Sequence, residues 1–209
     1  RIDLGEETRT MTKKRIIKLS IALMLMCTFN ASAVLIDFES DSVGPKPNGF
    51  TSVDSPIVHF HDSNGNTLVI DDYWHQSDGQ GLLVENDDAY LIMNFDVLLD
   101  SLSLDFGNDD PDFSPRGNTA ILTLYDGLTE VASVSMLANQ NDIMDQTIAY
   151  AGLSFDNATF RYDTPILWEV VDNINYTVAA VDEVPEPATL SMLGMGFAGM
   201  ALRRLRRRK

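Results

Sequence analysis

The strongest constraint on the fold is a two-residue alternation of apolar and polar side chains that recurs in short runs. The clearest run, at 101–106, reads Ser-Leu-Ser-Leu-Asp-Phe and puts three apolar side chains on one face. Such alternation is typical of a half-buried antiparallel strand. Roughly eleven short runs lie between residues 34 and 178, separated by Gly, Asn, Asp and Pro, and none shows sustained helical periodicity. The pattern predicts an all-β fold, an antiparallel β-sandwich of jelly-roll-like form.

Two turns in this pattern predict hairpins. Asp62-Ser63-Asn64-Gly65-Asn66 separates the runs 57–61 and 67–71, and its Asn-Gly pair suits the positive φ of a hairpin turn. Asp126-Gly127 separates the runs 119–125 and 130–136 in the same way. We therefore expect each pair of runs to form neighbouring strands.

The N-terminal end has the order of a secretory signal peptide. Residues 1–10 are charged and unpatterned, and we interpret them as translated sequence upstream of a start at Met11. A basic segment and an apolar segment follow within 11–33, and they end in the small-residue cleavage motif at Ala31 and Ala33. The mature chain is expected to begin at Val34. The single cysteine, Cys27, would leave with the signal peptide, so no disulfide is expected.

The C-terminal end combines a proline-rich motif, an apolar span and a basic stop. The two prolines disfavour helix before the uncharged span 188–202, for which we predict a transmembrane helix. At ~1.5 Å per residue this helix would be about 22 Å long, which is short against a hydrocarbon core of ~30 Å. The basic residues should stay cytoplasmic and leave the body on the opposite side. The motif consists of Val184, Pro185, Glu186 and Pro187, and the stop of Arg203, Arg204, Arg206, Arg207, Arg208 and Lys209.

These residues, in this order, resemble the PEP-CTERM sorting signal of Gram-negative bacteria. The resemblance covers residues 184–209 and implies that an exosortase, a membrane-embedded protease, is the partner of this tail. The chain would be a substrate of that machinery, anchored transiently in the inner membrane and then released to the cell surface or extracellular matrix. Such proteins often occur in bacteria that produce exopolysaccharide, which is therefore an expected partner.

The charge of the body restricts its partners. Residues 34–187 contain three basic and 28 acidic residues, a formal charge of −25. Nucleic acids and anionic lipids need clustered cations, so neither is expected as a partner. Ca²⁺ is a natural counterion for such a body, although a solvated acidic coat would have the same composition. The predicted β-sandwich domain spans 34–180, and 181–183 form a short linker before the tail.

Three short strand motifs suggest where a metal ion would bind. Ile-Asp-Phe-Glu at 36–39, Leu-Asp-Phe-Gly-Asn-Asp-Asp-Pro at 104–111 and Val-Asp-Asn-Ile-Asn-Tyr-Thr at 171–177 are similar to the β-sandwich bodies that often carry this tail. Those bodies resemble carbohydrate-binding jelly rolls, in which a first-strand acid often meets a last-strand aspartate at a Ca²⁺ site. The resemblance implies such a site, formed by Asp37 or Glu39 with Asp172 and Asn173.

Other candidate sites have weaker patterns. The acids at 105–112 do not complete a calcium loop, because the closing glutamate is missing, and an acidic turn is favoured. His59, His61 and His75 would suit zinc, but structural histidines are far more common. Tyr73 and Trp74 precede a loop and are candidates for stacking on sugar rings, whereas Trp168 lies in an apolar run and is expected in the core.

The sequence favours a binding role over catalysis. It has no G-x-S-x-G motif, no phosphate loop and no cysteine in the expected mature chain. We expect an exported, non-enzymatic surface or matrix protein whose body binds carbohydrate or Ca²⁺. The alternative is a secreted hydrolase that acts on polysaccharide through a carboxylate pair, since 28 acids offer many pairs but mark out none.

Overall fold

The computed structural model describes residues 33–85, 88–113 and 116–180. This part of the chain folds into eleven antiparallel strands and one short 3-10 helix, Trp74–Gln76. The strands are β1 Ala33–Ile36, β2 Gly44–Lys46, β3 Phe50–Ser52, β4 Ser55–Asp62, β5 Leu68–Asp72, β6 Gln80–Val84, β7 Leu91–Phe106, β8 Thr119–Asp126, β9 Thr129–Leu137, β10 Gln146–Tyr162 and β11 Glu169–Val178.

Two long strands, β7 and β10, generate both layers of the sandwich. The first half of β7, at 91–95, pairs with β4, and its second half, at 99–106, pairs with β11. The second half of β10, at 157–162, pairs with β8, and its first half, at 146–151, pairs with β7. Register shifts between 151 and 157 mark the bend of β10. Each long strand therefore crosses from one layer to the other, and irregular pairing at the bend permits that turn.

The two layers can be named by their strands. The front sheet contains β2, β5, β6, β11 and β1, together with the second half of β7 and the first half of β10. The back sheet contains β3, β4, β8 and β9, together with the other halves of β7 and β10. Hydrogen bonds continue through both long strands, so the layers form one eleven-stranded sheet that is folded over.

Aromatic side chains join the layers. Phe106 of the front sheet lies 5.5 Å from Phe160 and 6.1 Å from Tyr162 of the back sheet, measured between ring centroids. Phe95 of the back sheet lies 6.0 Å from Tyr176 of the front sheet. Aromatic pairs at these separations add to the burial of their apolar area. This packing confirms the predicted all-β antiparallel sandwich.

The alternating run that predicted the fold lies in β7 as expected. Leu102, Leu104 and Phe106 are buried, and Ser101 and Asp105 are partly exposed. The apolar stretch at 90–95 and the alternating run at 101–106 are two halves of this one strand. The runs at 147–150 and 158–162 are likewise two halves of β10.

One predicted hairpin is confirmed and the other is wrong. β8 and β9 pair through the turn at Asp126 and Gly127, and Gly127 has a φ of 58°. β4 and β5 do not pair, although Gly65 adopts the expected positive φ of 82°. The turn forms, but β4 joins the back sheet and β5 the front sheet. Local turn chemistry sets the backbone angle, whereas burial of the apolar faces decides the partner strand.

Several predicted segments lie outside the described residues. They are the signal peptide with Ala31, the tail motif at 184–187, the helix at 188–202 and the basic stop. Among the residues that the structure describes, no helix is both long and apolar enough for a membrane span. The sandwich forms one compact unit that ends at Ala179.

Candidate functional site

Four connections meet at one end of the sandwich, here named the loop end. They are the segments 73–79, 107–113, 138–145 and 163–168. Register explains the meeting, because Phe106 pairs with both Gln146 and Val171, so that β7 ends where β10 and β11 begin. A binding surface at this end is built from loops on a rigid sheet edge.

A buried aspartate holds two of these loops together. Asp109 is 1% exposed, and its carboxylate accepts N–H bonds from Gln140 at 2.6 Å and Asp142 at 2.9 Å. Gln140 and Asp142 both have positive φ, at 59° and 58°. Bonds from N–H groups to a buried charge are stronger than bonds between neutral groups, so they stabilise this backbone path. The acids at 105–112 thus include a structural anchor.

Gly107 permits the closest approach at the loop end. A β-carbon at this position would lie 2.3 Å from the backbone nitrogen of Met144, inside any allowed contact. That nitrogen donates to the carbonyl oxygen of His75 at 2.6 Å. The segment 138–145 is therefore in contact with residue 107 on one side and with the 3-10 helix on the other.

The loop end contains a groove with a volume of about 560 Å³, here named the aromatic groove. Two aromatic side chains reach solvent along it: Phe113 is 62% exposed and Trp168 39% exposed. The Asn108 side-chain amide donates to the carbonyl oxygen of Trp168 at 2.8 Å, and this bond joins the segments 107–113 and 163–168. The lining residues are Gln76, Asn108, Asp110, Phe113, Ile166, Leu167 and Trp168.

A smaller pocket of about 310 Å³ adjoins the groove and shares Gln76 with it. Trp74 lines this pocket and is 83% exposed, with a φ of 60°. Tyr73 is half-buried, and its hydroxyl donates to the carbonyl oxygen of Val69 at 3.3 Å. Burial and the charge of Asp71 raise the pKa of Tyr73. Of the two predicted stacking residues, only Trp74 presents its ring freely to solvent.

Carboxylates converge on the pocket side of the groove. The Gln76 amide donates to Asp142 Oδ1 at 2.6 Å. Burial raises the pKa of Asp142, the Gln76 bond opposes that rise, and the negative charges of Asp110 and Asp109 add to it. The loop end is therefore a place of concentrated negative charge beside exposed aromatic rings.

A second acidic cluster lies where β11 meets the segment 73–79. Asp172 is fully buried; its carboxylate accepts N–H bonds from Asn173 at 2.6 Å and from Asp78 at 3.1 Å. Burial raises the pKa of Asp172 to about 7, the two N–H bonds oppose this, and the negative charges of Asp78 and Glu39 contribute to it. Glu39 accepts an N–H bond from Gln80 at 2.6 Å.

The structure thus separates the residues of the predicted metal site. Glu39, Asp172 and Asn173 lie together, with Asp78 as an acid that the sequence did not single out. Asp37 lies apart from this cluster, and its carboxylate accepts the N–H of Glu39 at 3.1 Å. Burial raises the pKa of Asp54, and the negative charge of Asp37 adds to that rise. Within the described ranges, no three His, Asp or Glu side chains converge tightly enough to form a ready-made metal site.

The histidines are dispersed. His59 Nε2 lies 3.2 Å from Asp96 Oδ1 on the exposed surface of the back sheet. Burial and then the charge of His59 lower the pKa of His61. His75 lies at the loop end, in the 3-10 helix. The structure therefore gives His75 surroundings quite different from those of the other two.

A buried glutamate lies at the start of β11. Glu169 is 2% exposed, and its Oε1 accepts the N–H of Tyr162 at 3.4 Å. Oε2 of Glu169 and the hydroxyl oxygen of Tyr162 are both buried without a hydrogen-bond partner. Burial raises the pKa of Glu169 to about 8, against which its backbone hydrogen bonds act. The folded protein therefore holds Glu169 in its neutral form at pH 7.

The prediction that Trp168 lies in the core is wrong. The apolar run at 166–171 suggested a buried strand, but β11 begins only at Glu169, so Trp168 is part of the preceding loop. Phe113 was missed as a candidate. A phenylalanine within the Asp- and Pro-rich stretch 109–115 has no alternating partners to bury it, and that signal was available in the sequence.

Solved structures of similar fold share little sequence with this chain. A DUF4465 family protein from Bacteroides caccae is 11% identical, with a TM-score of 0.44, over 71% of this chain and 100% of its own. The K1 cleaved adhesin domain of Lys-gingipain from Porphyromonas gingivalis is 11% identical, with a TM-score of 0.41, over 71% and 99%. The xylan-binding module CBM15 is 9% identical, with a TM-score of 0.39, over 72% and 98%. Likenesses this weak carry no inference about what the chain binds.

Sequence comparison concerns the tail. No curated protein matches the chain in sequence. Residues 183–208 match the family model of the PEP-CTERM protein-sorting motif, which confirms the resemblance drawn from the proline-rich motif, apolar span and basic stop. The protein therefore joins an antiparallel β-sandwich body to a PEP-CTERM protein-sorting motif.

Proposed function

We propose that this protein is exported by a cleaved signal peptide, anchored in the inner membrane by its tail, and processed by an exosortase. The sorting motif at 183–208 is the observation that supports this route. The signal peptide at 11–33, the cleavage residues Ala31 and Ala33 and the helix at 188–202 complete it. The processed body, a jelly-roll-like sandwich, then resides at the cell surface or in the extracellular matrix.

The processing route predicts the ends of the mature protein. Mass spectrometry of protein recovered from the producing cells should find an N-terminus at Val34 and a C-terminus near Pro187. Recovery of intact Lys209 from the cell surface would contradict exosortase processing. A variant with both Pro185 and Pro187 replaced by alanine should accumulate uncut in the membrane, whereas Pro56→Ala, a proline change in the body, should leave processing unaffected.

We further propose that the body is a non-enzymatic carbohydrate-binding module and that the aromatic groove is its site. Exposed aromatic rings beside amides and a carboxylate are the elements that hold sugar rings, because each sugar has an apolar face and a rim of hydroxyls. The groove supplies Phe113 and Trp168 for the apolar face, and Gln76, Asn108 and Asp110 for the hydroxyls. A soluble or matrix exopolysaccharide is the proposed ligand.

The position of the groove suits a sorted surface protein. β11 runs from Glu169 at the loop end to Val178, and Ala179 donates to the carbonyl oxygen of Leu98 at the opposite end. Ala33 pairs with Thr177, so β1 also begins at that opposite end. Ten residues of strand separate the two ends, a length of about 33 Å. Both ends of the described chain therefore leave the sandwich on the side away from the groove.

Removing an aromatic wall should weaken glycan binding. We expect Phe113→Ala and Trp168→Ala each to lower affinity for the bound oligosaccharide about tenfold, since each deletes an aromatic contact of ~1.5 kcal/mol. Isothermal calorimetry on the hits of a glycan array would measure this loss. Leu128→Ala is the matched control, because Leu128 is fully exposed in the β8–β9 turn at the opposite end.

The same experiment separates binding from hydrolysis. Binding without release of reducing sugar supports the module. Polysaccharide cleavage that is lost when one carboxylate is replaced would instead support the secreted hydrolase. Equal affinity of Phe113→Ala and the unaltered protein would place the binding site elsewhere.

We also propose a Ca²⁺ site at Asp172 with Glu39, Asp78 and the carbonyl groups near Asn173. The supporting observation is the fully buried Asp172 carboxylate. Burial raises its pKa, and the negative charges of Asp78 and Glu39 add to that rise. Calcium prefers several oxygen ligands and would offset this repulsion. Glu39 and Asp78 are exposed, and Glu39 would give up its bond from the Gln80 N–H to turn toward an ion beside Asp172.

A further inference from the structure

The aromatic groove has a distinctive charge. Asp110 lines it, and Asp142 lines the adjoining pocket that shares Gln76. None of the described lining residues of either cavity is lysine or arginine. The body has only three basic residues, and Lys46 donates to Ser42 in the loop that leads into β2. A ligand in this groove therefore meets negative charge and aromatic rings together.

This combination discriminates among polysaccharides by their charge. A uronate or sulfated sugar would bring its anion beside Asp110 and Asp142, where like charges repel in a partly dehydrated site. A protonated amino group would instead form a charge-assisted hydrogen bond to a carboxylate. The same cation is attracted to the faces of tryptophan and phenylalanine rings.

The carboxylates are held in place for this role. Asp109 joins the two loops that carry Asp110 and Asp142, and the Gln76 amide fixes the Asp142 carboxylate at 2.6 Å. The Asp112 N–H donates to Asp110 Oδ1 at 2.7 Å. A preorganised carboxylate loses little conformational freedom when a ligand binds.

We propose that the aromatic groove selects glycans that contain amino sugars, with the sugar ammonium group between Asp110 and the rings of Phe113 and Trp168. This inference rests on the proposed carbohydrate-binding function and names the class of ligand. The acetylated and the acidic glycans are disfavoured, the first because it lacks the cation and the second because of repulsion.

Three oligosaccharides of equal length test the proposal: a glucosamine hexamer, an N-acetylglucosamine hexamer and a galacturonate hexamer. Calorimetry at pH 6 and moderate salt should show the glucosamine hexamer binding about tenfold tighter than the acetylated one. The galacturonate hexamer should not bind. Asp110→Asn should reduce the preference for glucosamine over the acetylated hexamer at least fivefold.

A matched charge change distinguishes binding in the aromatic groove from a general attraction of cationic glycans to this acidic protein. Asp126→Asn removes one charge at the opposite end, in the β8–β9 turn, and should not alter the preference. If Asp126→Asn and Asp110→Asn have the same effect, or if the acetylated or acidic hexamer binds best, the proposal is overturned. If no oligosaccharide or array glycan of any charge binds, the carbohydrate-binding function itself fails.

Discussion

Replacing the buried Glu169 with glutamine is expected to stabilise the sandwich at alkaline pH. The pKa of Glu169 is about 8 in the folded protein, against an ordinary 4.5. Below pH 4.5 both folded and unfolded chains hold the proton, so the carboxyl has no net effect. Between pH 4.5 and 8 only the folded chain holds it, and folding stability falls as pH rises. Above pH 8 the full cost, about 5 kcal/mol, is present.

Glutamine resembles the neutral acid and avoids this cost. Glu169→Gln should therefore match the unaltered protein at pH 4.5 and exceed its free energy of unfolding by about 5 kcal/mol at pH 9. Urea denaturation at pH 4.5, 7 and 9 in EDTA measures the difference. Glu130→Gln, at an exposed position in β9, is the control and should have little effect at any pH. A constant difference across the pH range would show that Glu169 does not titrate as described.

Calcium is expected to offset part of the cost of the buried Asp172 carboxylate. In EDTA, ionised Asp172 destabilises the fold, because its pKa is raised to about 7 from an ordinary 3.8. Stability should thus fall between pH 4 and 7, and Asp172→Asn should be the more stable protein at pH 8. Calcium at a hundred times its dissociation constant would add about 2.7 kcal/mol to the unaltered protein. Asp172→Asn should gain almost nothing from calcium.

The stability difference between Asp172→Asn and the unaltered protein at pH 8 is the decisive measurement. Thermal unfolding in EDTA and in calcium should show that calcium narrows the stability advantage of Asp172→Asn by about 2.7 kcal/mol. Asp54→Asn removes an acid beside Asp37 and should keep the full calcium response. If Asp54→Asn loses that response and Asp172→Asn keeps it, the ion binds with Asp37 and the proposed cluster is wrong.

Raised carboxyl pKa values have a common physical origin in this fold. The sandwich buries Glu169 and Asp172 within the first four residues of β11, and the charge of Arg161 offsets only a small part of the cost at Glu169. With 28 acidic and three basic residues in 34–187, few acids can be paired. A buried acid whose hydrogen bonds do not offset its burial then becomes neutral or requires a metal ion. Stability that decreases with rising pH follows from the composition as much as from any single contact.

The exposure of Trp168 does not follow from its neighbours in the sequence. Trp168 follows Ile166 and Leu167, and a run of three apolar residues shortly before a valine pair is typical of a buried strand. The strand begins one residue later, at Glu169, which is buried despite its charge. A charged residue inside and a tryptophan outside invert the usual preference, so the apolar run does not mark the start of β11.

Some properties of this protein follow from the sequence alone. The order of prolines, apolar span and arginines specifies a sorting motif, because those features follow one another directly along the chain. Two-residue alternation specified the all-β class and the β8–β9 hairpin, since strand periodicity and turn angles are also local properties. Neither conclusion required knowledge of which distant residues meet.

Only the tertiary structure decided which side chains share a site. The register of β7 with β10 and β11 brings four loops to one end, where Phe113 and Trp168 line one groove and the Asp109 carboxylate accepts the N–H of Asp142. A positive φ at Phe38, between Asp37 and Glu39, accompanies the separation of those two acids, one beside Asp54 and the other beside Asp172. These pairings join residues far apart in the chain, and they depend on strand order and burial. A one-dimensional pattern does not contain that information, because many strand orders bury the same alternating faces.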